Sequence, residues 1–291
     1  MAELTRIEHL EDYPKRLLNL ATVLSRIESF LEDLNVDPIE EMLFSFDLGQ
    51  HRRREIFHAS TIGTLSGKSM CGKYPMGCAR VLYYDLIGAQ SEGAIDPRLR
   101  RIFDTGSAIH AQLQGYLSVI ADRSEGEFTF VPEVVISPDH NDIADLMDIS
   151  GHTDGDSTVI VNDDKVRFLL EIKTINDAGY KKTSGPHPEH LMQGTVYQKA
   201  LDVPLIVFLY YNKNDSSMAE FVHEFDPRRW DAIVDKLEMV REAAIKEEPP
   251  SREPGWACST CKYKGICKPP RRGRGRDDKT VSAFRTRRKE S

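Results

Sequence analysis

The sequence predicts a mixed α/β fold in which a central mixed sheet is flanked by helices. Three observations predict it: an amphipathic helical stretch before residue 121, a group of strands between residues 128 and 175, and an alternation of helix and strand after them. The chain of 291 residues can bury a substantial core. Its 40% hydrophobic and 29% charged residues are typical of a soluble globular protein.

The first elements of the core are a helix, a strand and a hairpin. The helix is expected to be capped by Asp104 or Thr105, because short polar side chains cap helix N-termini. Its apolar stripe comprises Ile109, Leu113, Tyr116, Leu117 and Ile120. A strand over Phe128–Ile136 follows. The hairpin has Ile149 to Asp154 in its first arm, turns around residues 162–164, and FLLEIKTI as its last strand.

A helix and two strands complete the predicted core. The helix runs from about Pro188 to Leu201, since proline is favoured in a first turn. The strands LIVFLYYNK and AEFVHEF come next, and Asp226-Pro227 opens a further helix. The predicted order through the core is therefore α-β-β-β-α-β.

The chain divides into three regions by pattern and charge. Residues 1–58 are predicted to be helical, residues 59–267 to form the core domain, and residues 268–291 to be a disordered basic tail. The net charge is −7, but the tail carries ten Lys or Arg against three Asp or Glu, which leaves −14 on the remainder. The tail is either a solubilising terminus or an electrostatic arm for nucleic-acid phosphates.

Targeting signals are not apparent in the sequence. No run approaches the 18 apolar residues of a membrane span, and the first residues, MAELTRIEHLEDYPKR, lack the apolar core of a secretory signal. We therefore expect a cytoplasmic protein without membrane contact, located in the host cytoplasm if the chain is viral. In that compartment clustered cysteines hold metal more often than they form disulfides.

The strand FLLEIKTIN places two charges, Glu171 and Lys173, inside an apolar run. Burying charge without a partner costs several kcal/mol, so compensating groups are expected. Asp154 lies 17 residues earlier on the neighbouring strand and can point into the same pocket. Two carboxylates and the Ile172 carbonyl are hard oxygen ligands that suit Mg²⁺ or Mn²⁺. A lysine beside such a metal stabilises developing phosphoryl charge or orients the attacking water.

This Asp…Glu-x-Lys arrangement, on the α-β-β-β-α-β order, resembles the PD-(D/E)XK nuclease superfamily with its restriction-endonuclease-like core. Two further motifs are similar to those of its RecB-like branch. FDTGSAIHAQLQ contains His110, which the resemblance places at the metal site, and LMQGTVYQKAL contains Gln193 and Tyr197 on one helical face. The resemblance implies that this pair contacts substrate phosphates or the active-site lysine. Each motif alone is also compatible with an ordinary surface position.

The cysteines form a second candidate centre. Cys258, Cys261 and Cys267 have the spacing C-x2-C-x5-C, and Cys78 in CARVLYYDLIG offers a fourth thiol. Four thiolates suit zinc or an iron–sulfur cluster. The pattern resembles the iron–sulfur subgroup of RecB-like nucleases, including CRISPR-associated adaptation nucleases, the AddB nuclease domain and phage-encoded relatives. That resemblance implies a structural 4Fe-4S cluster. Cys71, seven residues before Cys78, is the alternative fourth ligand.

Two groups near the predicted site are given lesser roles. His187 and His190 flank Pro188 and are interpreted as part of a solvated loop. Glu133 lies on the strand before the hairpin and is interpreted as supporting the site from outside the metal ligands.

These features predict a metal-dependent deoxyribonuclease, an exonuclease of single-stranded or frayed DNA ends. The preference for DNA and for ends is implied by the resemblance alone. Two alternatives remain open: a structure-specific endonuclease or RNA-directed enzyme on the same core, and a non-catalytic nucleic-acid-binding subunit stabilised by metal. The helical N-terminal region and the basic tail leave room for a partner such as a helicase or recombination protein, and a viral recombination role fits the phage-like motifs.

Overall fold

The computed structural model describes residues 23–32, 56–63, 65–71, 74–91 and 97–267, with side chains left out for residues 63–76. The predicted basic tail and most of the N-terminal region lie outside the described residues. The helices are α1 (Val23–Glu32), α2 (Ala59–Gly63), α3 (Ala79–Leu86), α4 (Pro97–Arg123), α5 (Asp142–Met147), α6 (Asp177–Tyr180), α7 (Pro188–Leu201), α8 (Pro227–Ile245) and α9 (Lys264–Cys267), with a 3₁₀ turn at Trp256–Ser259. The strands are β1 (Phe57–His58), β2 (Leu65–Cys71), β3 (Tyr74–Gly77), β4 (Phe128–Ile136), β5 (Ile149–Val161), β6 (Asp164–Ile175), β7 (Leu205–Asn212) and β8 (Met218–Glu224).

Six strands form a mixed sheet at the centre of the molecule. Its order is β1-β5-β6-β7-β8, and β4 also pairs with β5. β5 is antiparallel to β4 and β6, β6 is parallel to β7, and β7 is antiparallel to β8. The parallel β6–β7 connection requires a crossover, which α6 and α7 supply. The predicted α/β class and the order α-β-β-β-α-β are therefore confirmed, with the short α5 inserted between β4 and β5.

Helices cover both faces of this sheet because successive residues of its inner strands point to opposite sides. On β6, Leu169 packs with Met192 and Val196 of α7. Its neighbour Leu170 packs on the other face, with Leu113 and Leu117 of α4. α1 adds to the α4 side, and α3 and α8 add to the α7 side.

Helix α4 begins earlier than the sequence interpretation placed it. It starts at Pro97, so that Asp104 and Thr105 lie within the helix and do not cap it. Asp104 accepts a hydrogen bond from the Arg100 guanidinium at 2.9 Å, and the Thr105 hydroxyl donates to the Arg101 carbonyl at 2.8 Å. Both side chains are therefore satisfied inside a helix by partners one turn earlier.

The start of the chain's core also has features that the sequence did not predict. Phe57 and His58, just before the predicted core boundary, pair in parallel with Ile149 and Ser150 of β5. The insertion before Cys78 forms the antiparallel hairpin β2–β3. No helix in the described part of the chain is long and apolar enough to cross a membrane.

Candidate active site

Asp154 lies at the point where β5 and β6 separate. The ladder between these strands ends at Gly155 and Leu170, one residue from Asp154. Beyond that point the Asp154 carboxylate replaces a backbone partner, because its Oδ2 accepts a hydrogen bond from the Ile172 amide at 2.6 Å. Asp154 is only 6% exposed. Ile172, whose carbonyl is a predicted metal ligand, therefore directs its backbone N–H at this carboxylate.

His110 of α4 meets the same carboxylate from the helical side. Its Nδ1 lies 3.0 Å from Asp154 Oδ1. The close approach of α4 depends on Gly106, since a Cβ there would lie 3.2 Å from the Thr174 hydroxyl. Burial alone would lower the pKa of His110, but the Asp154 carboxylate outweighs it, so the pKa of His110 is raised. Burial likewise opposes ionisation of Asp154, yet His110 and Lys173 keep its pKa below the usual value.

A polar chain supports Asp154 from the β4 side. The Gln114 amide donates to the Asp154 carbonyl at 2.9 Å and to Glu133 Oε1 at 2.7 Å. Glu133 Oε2 lies 3.2 Å from His152 Nε2. Glu133 has a φ of 52°, a left-handed conformation that is costly for a side-chain-bearing residue and is held here by these contacts. The sequence interpretation missed Gln114, although its position one turn after His110 places the two side chains on the same face of the helix.

Glu171 and Lys173 are joined directly on β6. Lys173 Nζ donates to Glu171 Oε1 at 2.6 Å. Glu171 is 3% exposed, and its burial raises the pKa to about 7 against the opposing effect of Lys173. Its second oxygen, Oε2, is buried and has no hydrogen-bond partner. A buried carboxylate oxygen without a donor is costly and indicates a missing cation or proton.

The predicted pair on α7 completes the arrangement around the lysine. Lys173 Nζ donates to Gln193 Oε1 at 2.8 Å, and Gln193 Nε2 donates to the Tyr197 hydroxyl at 2.8 Å. Tyr197 is buried against β5, where a Cβ at Gly151 would lie 3.0 Å from its ring. Sequence reasoning missed Gly151, because no local pattern marks a close contact between a strand and a distant helix.

The residues present fit a divalent cation. Asp154, Glu171 and His110 line one buried region, since the pKa of His110 responds to both carboxylates and the pKa of Glu171 responds to Asp154 and His110. Two carboxylates and an imidazole match the oxygen-rich ligand set of Mg²⁺ or Mn²⁺. The ligand atoms of these three side chains are not all within 4.8 Å of one another. Among the described residues, only His187, Glu189 and His190 have ligand atoms that close together.

The four predicted cysteine ligands line a single cavity. Cys78, Cys258, Cys261 and Cys267 all border it, together with Arg80. Cys78 stands immediately before α3, while the other three lie in the segment after α8. Burial raises the pKa of the Cys78 thiol. The side chain of Cys71, the alternative ligand, is outside the described residues.

Contacts around this cavity fasten the segment after α8 to α3. The Arg80 guanidinium donates to the Pro250 carbonyl at 2.6 Å and approaches the Cys267 carbonyl at 3.4 Å. Asp85 accepts from Lys262 at 2.5 Å and from the Tyr263 hydroxyl at 2.6 Å. These contacts join positions about 180 residues apart and explain how the thiols are brought together.

Backbone amides approach two of the thiols. The amides of Gly255 and Tyr263 lie 3.4 Å from the sulfurs of Cys258 and Cys261. Such amide donors stabilise thiolates, the form of cysteine that binds metal.

No protein-family model and no curated protein matches the chain. Among solved structures, an alkaline exonuclease (LHK-Exo) from Laribacter hongkongensis is 17% identical, with 67% of this chain and 90% of that chain covered at a TM-score of 0.43. The same enzyme in complex with dAMP gives 16% identity, coverage of 66% and 89%, and a TM-score of 0.44. The protein SSO0001 gives 15%, coverage of 84% and 93%, and a TM-score of 0.41.

Proposed function

We propose that the chain is a divalent-metal-dependent deoxyribonuclease that hydrolyses phosphodiester bonds as an exonuclease on single-stranded or frayed ends. The observation that carries the proposal is the buried group of Asp154, Glu171 and Lys173, which has two carboxylates, one fixed ammonium and an unpartnered carboxylate oxygen. The unpartnered oxygen belongs to a carboxylate whose pKa is raised by burial and by a second buried carboxylate, Asp154, and a divalent cation would stabilise both charges.

The proposed metal ligands are His110, Asp154 and Glu171, with the Ile172 carbonyl as a further candidate. When bound, Mg²⁺ or Mn²⁺ would neutralise charge on the scissile phosphate and lower the pKa of a bound water molecule. The chain's own residues supply the positioning. Gln114 and the Ile172 amide hold Asp154 at both its carbonyl and its carboxylate, so its orientation does not depend on the ligand.

Lys173 is proposed to act on the phosphate or on the attacking water. Its ammonium is held by Glu171 Oε1 and by Gln193 Oε1, two acceptors on different elements. Tyr197 in turn fixes the Gln193 amide so that its oxygen faces the lysine. An ammonium whose position is set before substrate binds stabilises transition-state charge without reorganisation cost.

The test is digestion of end-labelled single-stranded DNA with Mn²⁺ by the wild-type chain and by Asp154→Asn. Asp156→Asn is the matched control, because Asp156 is on the same strand but pairs with Arg167. Release of labelled nucleotides by wild type and control but not by Asp154→Asn is the expected result, with closed-circular DNA left intact. Cleaved circles would replace the exonuclease with an endonuclease. DNA binding without metal-dependent cleavage by the wild type would favour a non-catalytic subunit.

We further propose that Cys78, Cys258, Cys261 and Cys267 hold a structural 4Fe-4S cluster. Their common cavity and the amide donors at Cys258 and Cys261 support a thiolate-bound centre, and the resemblance to the iron–sulfur subgroup favours the cluster over zinc. Iron and acid-labile sulfide in the protein isolated without oxygen, in about equal amounts near four per chain, are expected. One zinc per chain without sulfide would contradict the cluster.

A further inference from the structure

A compact group of side chains able to bind metal lies at the start of α7 and shares no residue with the proposed catalytic group, although the Lys173 charge adds to burial in lowering the pKa of His190. One ligand atom from each of His187, Glu189 and His190 lies within 4.8 Å of the others. The sequence interpretation placed the two histidines in a solvated loop. That interpretation was wrong for His190, whose ring packs beside the buried Tyr210 of β7.

One contact of His187 favours a particular tautomer of its ring. The Thr183 hydroxyl has one hydrogen, which it donates to the Gly179 carbonyl at 2.9 Å. With that hydrogen engaged, the contact of 3.3 Å between Thr183 Oγ1 and His187 Nε2 is best made with the imidazole as the donor. In neutral His187 the lone pair is then on Nδ1.

That lone pair faces a carboxylate. His187 Nδ1 lies 3.7 Å from Glu189 Oε1, which is too far for a hydrogen bond. Two ligands about 2.1 Å from one metal ion are separated by about 3.4–3.7 Å, depending on the angle between them. The observed 3.7 Å separation is therefore one that two ligands of a shared metal ion can have.

The second histidine is oriented by Tyr210. His190 Nδ1 lies 2.5 Å from the Tyr210 hydroxyl, which also accepts from the His187 amide at 2.9 Å. Metal-bound histidines are typically oriented by such a bond at the second ring nitrogen, and ligation through Nε2 requires Nδ1 to be the donor to Tyr210.

We propose that His187, Glu189 and His190 form a second metal site, which binds a divalent transition-metal ion through two imidazoles and one carboxylate. Nitrogen ligands favour Zn²⁺, Ni²⁺ or Cu²⁺ over Mg²⁺. The His187 and His190 rings stack at 5.3 Å with 9° between their planes, so sharing an ion would require one ring to turn out of this stack, and the His187–Glu189 separation would change with it. The ion would join His187, the N-cap of α7, to the first turn of the helix that carries Gln193.

The test uses Ni²⁺ and calorimetry on the untagged full chain with Asp154→Asn and Glu171→Gln, which removes binding at the proposed catalytic metal site. We expect one saturable equivalent of Ni²⁺ and a higher unfolding temperature in its presence. Glu189→Gln and His187→Gln should each weaken binding at least about tenfold, since even outer partners of a metal site cost that much. His140→Gln, at an exposed histidine on another loop, is the matched control and should change nothing.

Glu189→Gln keeps the proposal falsifiable, because this partly exposed side chain can be altered without opening the core. Absence of saturable Ni²⁺ binding, or binding that neither Glu189→Gln nor His187→Gln weakens, would overturn the second site. Since the readout is binding and not cleavage, the result does not depend on the proposed nuclease activity.

Discussion

Replacing Glu171 with glutamine is expected to stabilise the metal-free protein at neutral and alkaline pH. Burial raises the pKa of Glu171 from 4.5 to about 7. Because the folded-state pKa lies above the unfolded-state value, the protonated carboxyl contributes stability that is complete below about pH 4.5 and lost as the pH rises to about 7. At about 1.4 kcal/mol for each pH unit, the loss is on the order of 3 kcal/mol. Glutamine has the same shape and does not ionise, so the variant avoids this loss.

The assay is urea unfolding of wild type and Glu171→Gln between pH 5 and pH 8 in the presence of a chelator. The free energy of unfolding of wild type should fall relative to that of the variant as the pH rises. Adding Mn²⁺ at pH 8 should recover the difference in wild type alone, because a ligand that binds only the folded state stabilises it. If the two free energies of unfolding differed by a constant amount across this pH range, Glu171 would not be a buried carboxylate that loses stability on ionisation and regains it with a cation.

Other predictions concern the lysine, the thiols and the β5 contact. Gln193→Leu should lower the cleavage rate about ten- to hundredfold without loss of the fold, since a hydrogen bond to the charged Lys173 is worth about 1.5–3 kcal/mol; an unchanged rate in a single-turnover assay would contradict this. Cys258→Ser should lower both iron content and unfolding temperature, while Cys71→Ser changes neither; a stable, iron-free and fully active Cys258→Ser protein would remove the structural role. Gly151→Ala should cost about 1–3 kcal/mol in urea unfolding because it crowds a buried tyrosine ring, and an unaffected free energy would show that the ring can move.

The elements that could be predicted from the sequence are those with strong local patterns. β4 and α7 have the predicted bounds, because alternation and a first-turn proline mark them directly. The start of α4 was misplaced since Asp104 and Thr105 have capping chemistry, whereas inside the helix each finds a partner one turn earlier. The usable signal was Pro97, which suits a first helical turn as Pro188 does.

The candidate site likewise contains residues whose proximity could be predicted from the sequence and residues for which it could not. The spacing of Asp154, Glu171 and Lys173 on paired strands made their proximity predictable, and the structure brings His110 and Gln193 to them. The contacts of Gln114, Gly151 and His190 could not be predicted, because each partner is distant in sequence and is brought there by tertiary packing. The sequence immediately around a histidine does not show whether tertiary packing will cover its ring.

The thiol cavity also has a consequence for synthesis of the chain. Cys78 and Cys267 border the same cavity, although 189 residues separate them. At about 5–20 residues per second, translation needs about 10–40 s to proceed from the first of these cysteines to the last. During most of that interval α3 lacks the partners that lie beyond residue 249, which are Pro250 for Arg80 and Lys262 and Tyr263 for Asp85. Insertion of the proposed cluster would therefore have to wait until residue 267 has been synthesised, after every strand of the central sheet.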